Sequence, residues 1–356
     1  MLKGLLKPKT TKMIGVDIGS SAVKAVLFSK SNNGFKVENI ASFPLKRGYV
    51  VDNAITDLQG VGEVIKKVKK KFAKSGAEHA SAAVSGSGVI IKTIYMNTVR
   101  NDEELESQIE IEAENLIPYP LDEVSLDFEV IRENAVNSEK VDVLLVAART
   151  ELVQARSQAL EFGKLQAKVI DVEGYALGRA YKLIEHQLSE DEQSQPVALV
   201  DVGASMLTVA IVHKKETVFI KEQAFGGEQY TQSIVAYYGM DNYEAEQAKL
   251  NGELPRNYVF EVLAPFQTAL TQQIKRILQM YSSANDNNQV GKIILSGGCT
   301  NIEGLDVAIN EEIGISCVLA QPFLHCEVRK SIDFDKLNKE ASQYMMASGL
   351  ALRNFK

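Results

Sequence analysis

Two acids in this chain stand in the same local setting. In IGVDIGSSAVKAVLF (14–28) Asp17 closes a run of alternating apolar residues, followed by a bend of Gly19, Ser20 and Ser21 and a second apolar run bearing Lys24. About half a chain later, LVDVGASMLTVAIV (199–212) repeats the pattern around Asp201, Gly203, Ala204 and Ser205. Successive strand residues face opposite sides, so Ile14, Val16 and Ile18 share one face and Asp17 emerges at the strand end, beside backbone that Gly19 leaves open. Tight turns rich in Gly and Ser offer N–H groups and hydroxyls to phosphate oxygens. A carboxylate beside them suits Mg2+, which takes one or two carboxylates, waters and phosphate oxygens. One such hairpin is explained by a turn that needs glycine; two together point to a shared nucleotide clamp. The chain has neither a Walker motif nor the dinucleotide GxGxxG.

A third candidate is KIILSGGCTNIEGL (292–305), an apolar run ending in Gly297 and Gly298 before a helix start. It reads equally as glycine backbone lying flat against a base or ribose and as a plain strand-to-helix turn. His325 and Cys326 are adjacent, but no second ligand pair accompanies them. The three cysteines show no CxxC spacing, so all are expected to be structural and the compartment reducing.

The elements that must position these residues alternate in type. Strand patterns fall at 13–18, 23–28, 35–43, 80–84, 88–95, 141–148, 168–172, 197–202, 207–212, 217–221 and 292–296. Helical patterns fall at 58–74, 101–116, 150–163, 174–189, 227–239, 243–251, 257–283 and 302–313. Paired strands followed by helices, occurring twice, indicate a duplicated α/β chain, and the polar LSEDEQSQP (188–196) is the natural boundary. At 356 residues, 45% hydrophobic and 24% charged, the composition is that of a globule of one or two domains. The net charge of -7 argues against a dedicated nucleic-acid binder. The lysines of VGEVIKKVKKKFAKSG read as the solvated side of a core-facing helix. The longest apolar run, VLLVAA (143–148), is too short to cross a bilayer.

GVDIGSSAVK, DVGASMLTVAI and SGGCTNIEGL, in this order and spacing, resemble the two phosphate motifs and the adenosine motif of the actin-like ATPase superfamily. VIDVEGYAL (169–177) resembles its first connecting helix, GGEQYTQSI (226–234) its second-half GGE segment, and AEQAK (245–249) its adenosine contact. The lysine-rich MLKGLLKPKTTK and the stretch EIEAENLIPYPLDEVSLDFEVI (110–131) narrow the resemblance to the PilM family of type IV pilus assembly.

That resemblance implies an actin-like fold of two lobes around a nucleotide cleft, with an FtsA-type small domain inserted in the first. The implied division is 1–87 with 167–192 for the first lobe and 88–166 for the insert. The second lobe would be 193–225 with 290–356, its mostly helical subdomain 226–289. The implied ligands are ATP and Mg2+. Asp17 and Asp201 would hold the metal through waters. Gly19, Ser20, Ser21, Lys24, Gly203, Ala204 and Ser205 would meet the phosphates, with the Gly226–Gly227 segment behind them. Glu246 and Lys249 would meet the ribose and adenine, with Gly297 and Gly298 beneath the base. Glu173 falls where the superfamily orients the attacking water, and reads equally as an acid at a helix N-terminus.

The second phosphate motif departs from the superfamily's Asp-Xaa-Gly-Gly-Gly-Thr-Thr-Asp. Ala204 and Ser205 replace glycines, Met206 a hydroxyl and Thr208 an acid, so slow turnover is expected. The implied partner is the N-terminal cytoplasmic peptide of a PilN-like inner-membrane protein, with other pilus assembly proteins and self-association also open. Ile117, Tyr119 and Leu121 either wall the peptide's groove or cap the insert's own core. The chain is expected in the cytoplasm, held at the inner membrane by protein partners, because ASQYMMASGLALRNFK adds no amphipathic anchor. An FtsA-like division protein and a small-molecule kinase of the same fold are the competing readings.

Overall fold

The computed structural model describes residues 12–32, 34–98, 102–134, 137, 139–285, 288–302 and 304–355. The first lysines of MLKGLLKPKTTK lie outside them.

Two sheets share one plan. In the first, strands Gly34–Pro44, Ala22–Ser31 and Met13–Ile18 are antiparallel, and His79–Val84 and Gln166–Val172 continue the sheet in parallel. In the second, Glu216–Gln223, Leu207–His213 and Val197–Val202 are antiparallel, followed in parallel by Lys292–Ser296 and Cys317–Leu319. The register repeats as well: Asp17 faces Lys24 across the first hairpin, and Asp201 faces Thr208 across the second. Their strands are apolar on both faces because helices cover both sides.

Between His79–Val84 and Gln166–Val172 the chain builds a separate antiparallel sheet of Val89–Asn97, Lys140–Arg149 and Val124–Glu133. Helix Asp102–Leu116 packs Leu105, Ile109 and Ala113 against Ile94, Val143 and Leu145. Helix Thr150–Phe162 follows; Thr150 at its start meets Ser125 of the small sheet, but its buried apolar residues pack elsewhere. Ala159 and Leu160 join the core of the first sheet, and the Phe162 ring fills the space beside Gly62 of helix Leu58–Lys71, where a Cβ would come within 2.3 Å. The small sheet therefore ends at Arg149, earlier than the expected limit of 166.

The two large sheets are joined by helices that cross in close contact. Helix Glu173–Ile184 packs on the second sheet, with Gly174 against Ile220 and Gly178 against Thr217. It meets the buried helix Met345–Leu352 where Gly349 lies so near the Ala176 carbonyl that a Cβ would sit 1.7 Å from its oxygen. Gly15 of the first strand approaches the Ala347 carbonyl similarly, at 2.1 Å for an added Cβ. The segment from Glu327 onward, expected with the second lobe, thus returns to the first: Glu327–Val328 extends its sheet, and Leu337, Ala341 and Ala351 pack on Val26, Phe28 and Val37. The reason is the apolar MMASGLAL run, which needs cover on every side. The polar LSEDEQSQP, read as a boundary, contains a short helix, Glu190–Ser194, with a Ser189–Glu192 capping box. No helix among the described residues is long and apolar enough to cross a membrane.

Candidate functional site

Both Asp-bearing strand ends open toward the same space. The Ser205 hydroxyl of the second turn donates to Ser20 Oγ of the first at 2.9 Å. Lys24 Nζ lies 3.6 Å from the Asp17 carboxylate, and Ser296 Oγ donates to Asp201 Oδ1 at 2.7 Å. Burial raises both carboxyls above their usual range, Asp201 to about 6, while the Lys24 ammonium pulls both down. Asp17 also pushes Asp201 upward, so the two acids feel one another. Two buried, under-compensated carboxylates beside open turns are a donor set that Mg2+ with a phosphate chain would satisfy. The residues fit the ion. Among the described residues no group of three or more His, Cys, Asp or Glu side chains could hold a metal unaided.

The turns are fixed from behind. The Gly203 amide donates to Met206 O at 2.8 Å, and its carbonyl accepts from Gly227 N at 3.0 Å and Cys299 Sγ at 3.2 Å. Ala204 O accepts from Glu228 N at 2.7 Å. A Cβ on Gly226 would fall 2.5 Å from Gly203 O, and one on Gly297, at φ +98°, would fall 2.3 Å from Val202 O. Around Gly298 there is open space instead. Ser21 is exposed, and its carbonyl accepts from Leu45 N at 2.8 Å.

Glu246 and Lys249 come together through a residue the sequence did not single out. Thr231 Oγ1 donates to Glu246 Oε2 at 2.7 Å and accepts from Lys249 Nζ at 2.8 Å, while Lys249 Nζ also bonds Glu246. The ammonium sits 5.9 Å from the Tyr230 ring centre.

Glu173 opens the connecting helix on the cleft floor. Burial raises its carboxyl to about 8, with Glu222 and Asp17 adding repulsion and Arg156 opposing the rise. Glu222 reaches across from the second lobe to accept from the Gly86 amide, and Arg47 pairs with Glu228 across the same gap. Arg156 is buried beneath the floor. Its signal was available, since it lies on the same helical face as Ala159 and Leu160 and a cation there requires partners. Glu222 carried no local signal, because only the fold brings it to residue 86.

The expected partner residues sit in the small sheet's own packing. Ile117 is buried in its core, Leu121 is partly buried against it, and Tyr119 is half-buried under the Arg149 guanidinium, 5.6 Å from the ring centre.

Two lobes of one repeated topology, with acid-bearing hairpins meeting at their junction, define an actin-like ATPase fold. A match to the type IV pilus assembly protein PilM spans residues 15–355, and the chain belongs to that family. A solved PilM–PilN type IV pilus biogenesis complex superposes with a TM-score of 0.84 at 24% identity, over 98% of this chain and 99% of that one. The ethanolamine utilization protein EutJ from Carboxydothermus hydrogenoformans gives a TM-score of 0.58 at 14% identity, covering 99% of this chain and 92% of that chain. The cell division protein FtsA of Bacillus subtilis (strain 168) is 21% identical over 341 residues, covering 82% of this chain and 74% of FtsA.

Proposed function

We propose that this PilM-family chain binds Mg·ATP between its lobes and uses the bound nucleotide to set its readiness to hold a partner. The partner is the cytoplasmic N-terminal peptide of a PilN-like membrane protein, which keeps the chain at the inner membrane. The observation that carries the reading is the pair of registered hairpins that meet at Ser20 and Ser205 with Asp17 and Asp201 beside them. Asp17 and Asp201 hold the metal, whose charge offsets the phosphates. Lys24 and the turn amides orient the phosphate chain. Thr231 fixes the Glu246–Lys249 pair toward the ribose, and the open space at Gly298 receives the base. Slow turnover is supported by the second turn, where Ala204 and Ser205 stand in place of glycines and Thr208 in place of an acid. The partner reading draws support from the related complex solved with PilN.

The test pairs two variants. Asp17→Ala should remove most of the rise in melting temperature that saturating Mg·ATP gives the wild type, where a ligand at one hundred times its Kd contributes about 2.7 kcal/mol. Tyr119→Glu should weaken capture of the PilN-like peptide and leave that rise intact. An unchanged ATP shift in the first variant removes the metal assignment, and peptide binding at wild-type strength in the second moves the groove elsewhere.

A further inference from the structure

We propose that Arg156 is an additional phosphate ligand of the cleft, which reads whether the bound nucleotide carries a terminal phosphate and passes that state into the helix leading from the small sheet. The inference rests on the nucleotide reading above and assigns this side chain a task that no motif gives it.

Arg156 is only 2% exposed, yet no carboxylate stands at ion-pair distance from it among the described residues. Its Nε donates to Ala83 O at 3.0 Å and its Nη2 to Asn53 O at 2.8 Å, while Nη1 is buried with no partner. A guanidinium is a fork of five N–H donors that cannot shed its charge. A buried donor left unsatisfied on such a charged group costs more than one on a neutral group. Buried polar groups are paired in nearly every native protein, so an arginine held by two carbonyls with one amino group left over is prepared for an anion.

The location selects the anion. The Arg156 charge acts on both Asp17 and Glu173, so the guanidinium lies toward the metal-binding acid and the residue expected to orient water. Asp17, Glu173, Glu222 and Asp201 give this floor four carboxyls against Lys24 and Arg156. The planar fork of the guanidinium suits phosphate oxygens.

The connections of Arg156 supply the relay. Asn53 lies at φ +63° in the tight turn between Val50–Val51 and Ala54–Ile55, and Ala83 is next to last in strand His79–Val84, which leads to Gly86. The helix carrying Arg156 starts directly after Arg149, whose guanidinium covers Tyr119 and whose amide donates to Gly88 O at 3.0 Å. A pull on Nη1 therefore acts on the first sheet, on the 50–55 turn and on the root of the small sheet together.

The experiment compares the full chain with Arg156→Lys, which keeps the cation and shortens the fork. Binding of Mg·ADP and of a non-hydrolysable Mg·ATP analogue is measured by calorimetry. The wild type should prefer the triphosphate, and Arg156→Lys should lose at least about tenfold in triphosphate affinity while changing less than about threefold for ADP. A wild-type preference retained in the variant overturns the inference and leaves nucleotide binding standing; absence of nucleotide binding in the wild type overturns both. Should the variant not fold, hydrogen exchange on the wild type decides. The analogue should slow amides at 50–56 and 150–162 more than ADP does, and equal protection overturns the relay.

Discussion

Glu173→Gln should make the nucleotide-free protein more stable, by an amount that grows with pH. An ordinary carboxyl of this type titrates near 4.5, and enclosure at the cleft floor, with Glu222 and Asp17 nearby, moves this one to about 8. Between those values the unfolded chain releases the proton and the folded chain keeps it. The stability contributed by the protonated carboxyl is complete below 4.5 and is lost as pH rises toward 8. Each pH unit in that window costs about 1.36 kcal/mol, which reaches about 3 kcal/mol at pH 7. Residue 173 is half-buried by surface area, and water reaching the cleft screens the charges, so about 1.5 kcal/mol is a fair lower figure. Glutamine copies the shape of the protonated acid and never ionises. Urea unfolding of both proteins at pH 5, 6, 7 and 8, without nucleotide, should give nearly equal stabilities at pH 5 and a widening gain for the variant above it. A gain that does not vary with pH, or a loss at pH 7, would refute the electrostatic account. On the proposed role of Glu173, the substitution should also lower ATP turnover, since stability gained at a functional acid commonly comes at the expense of activity.

Two further substitutions probe the frame around the cleft. Gly349→Ala inserts a methyl group where the Ala176 carbonyl oxygen would be 1.7 Å away. The two connecting helices must then separate, and a loss of about 3 kcal/mol or failure to fold is expected; denaturation within about 0.5 kcal/mol of wild type would show that the crossing is looser than it looks. His186→Gln concerns acid stability. Burial lowers the His186 pKa, the His325 ring stacked at 4.0 Å lowers it further, and Nε2 is buried without a partner. The folded chain thus resists a proton that the unfolded chain accepts near 6.5. The wild-type melting temperature should fall between pH 7 and 5 and the variant's should fall less; parallel curves would exclude this histidine as the cause.

What could be read in advance followed from local rules. The hairpins, the strand periodicity and the helix 58–71 face are set by residues close in sequence, and they fall where alternation and 3.6-residue spacing place them. Strand Val124–Glu133 gave no such signal, because it edges the small sheet with exposed charged residues along much of its length. Helix Met345–Leu352 gave none because it is buried all round and has no polar face to set a period. The predicted helix 257–283 opens instead with a π-turn, Val259–Leu263, before the α-helix Ala264–Ala284. At the site, motif residues were visible, and residues supplied by distant segments were not. Glu222 and Arg47 acquire roles only when the lobes are folded together, and Thr231 only when its helix packs beside the one carrying Glu246 and Lys249. Arg156 was missed as well, although a cation on the helix face of Ala159 and Leu160 was a signal the sequence offered.

The substituted glycines of DVGASMLT now take a different meaning. Close backbone approach at this turn is provided from behind, by Gly226 and Gly227 against the Gly203 and Ala204 carbonyls and by Gly297 against Val202. That leaves the Ser205 side chain free to cross the cleft to Ser20. The Arg47–Glu228 pair and the Glu222 bond to the Gly86 amide cross the same gap. All three bridges are polar. An exposed ion pair contributes about 0–1 kcal/mol and a net hydrogen bond about 1 kcal/mol, somewhat more when one partner is charged. Beside the apolar packing of the connecting helices, they add a few kcal/mol across the gap, the same order as a ligand present at one hundred times its Kd supplies. An apolar seam of similar area would stay shut regardless of nucleotide. On the proposed function, a polar seam of this strength is one that a phosphate chain contacting both turns could tip.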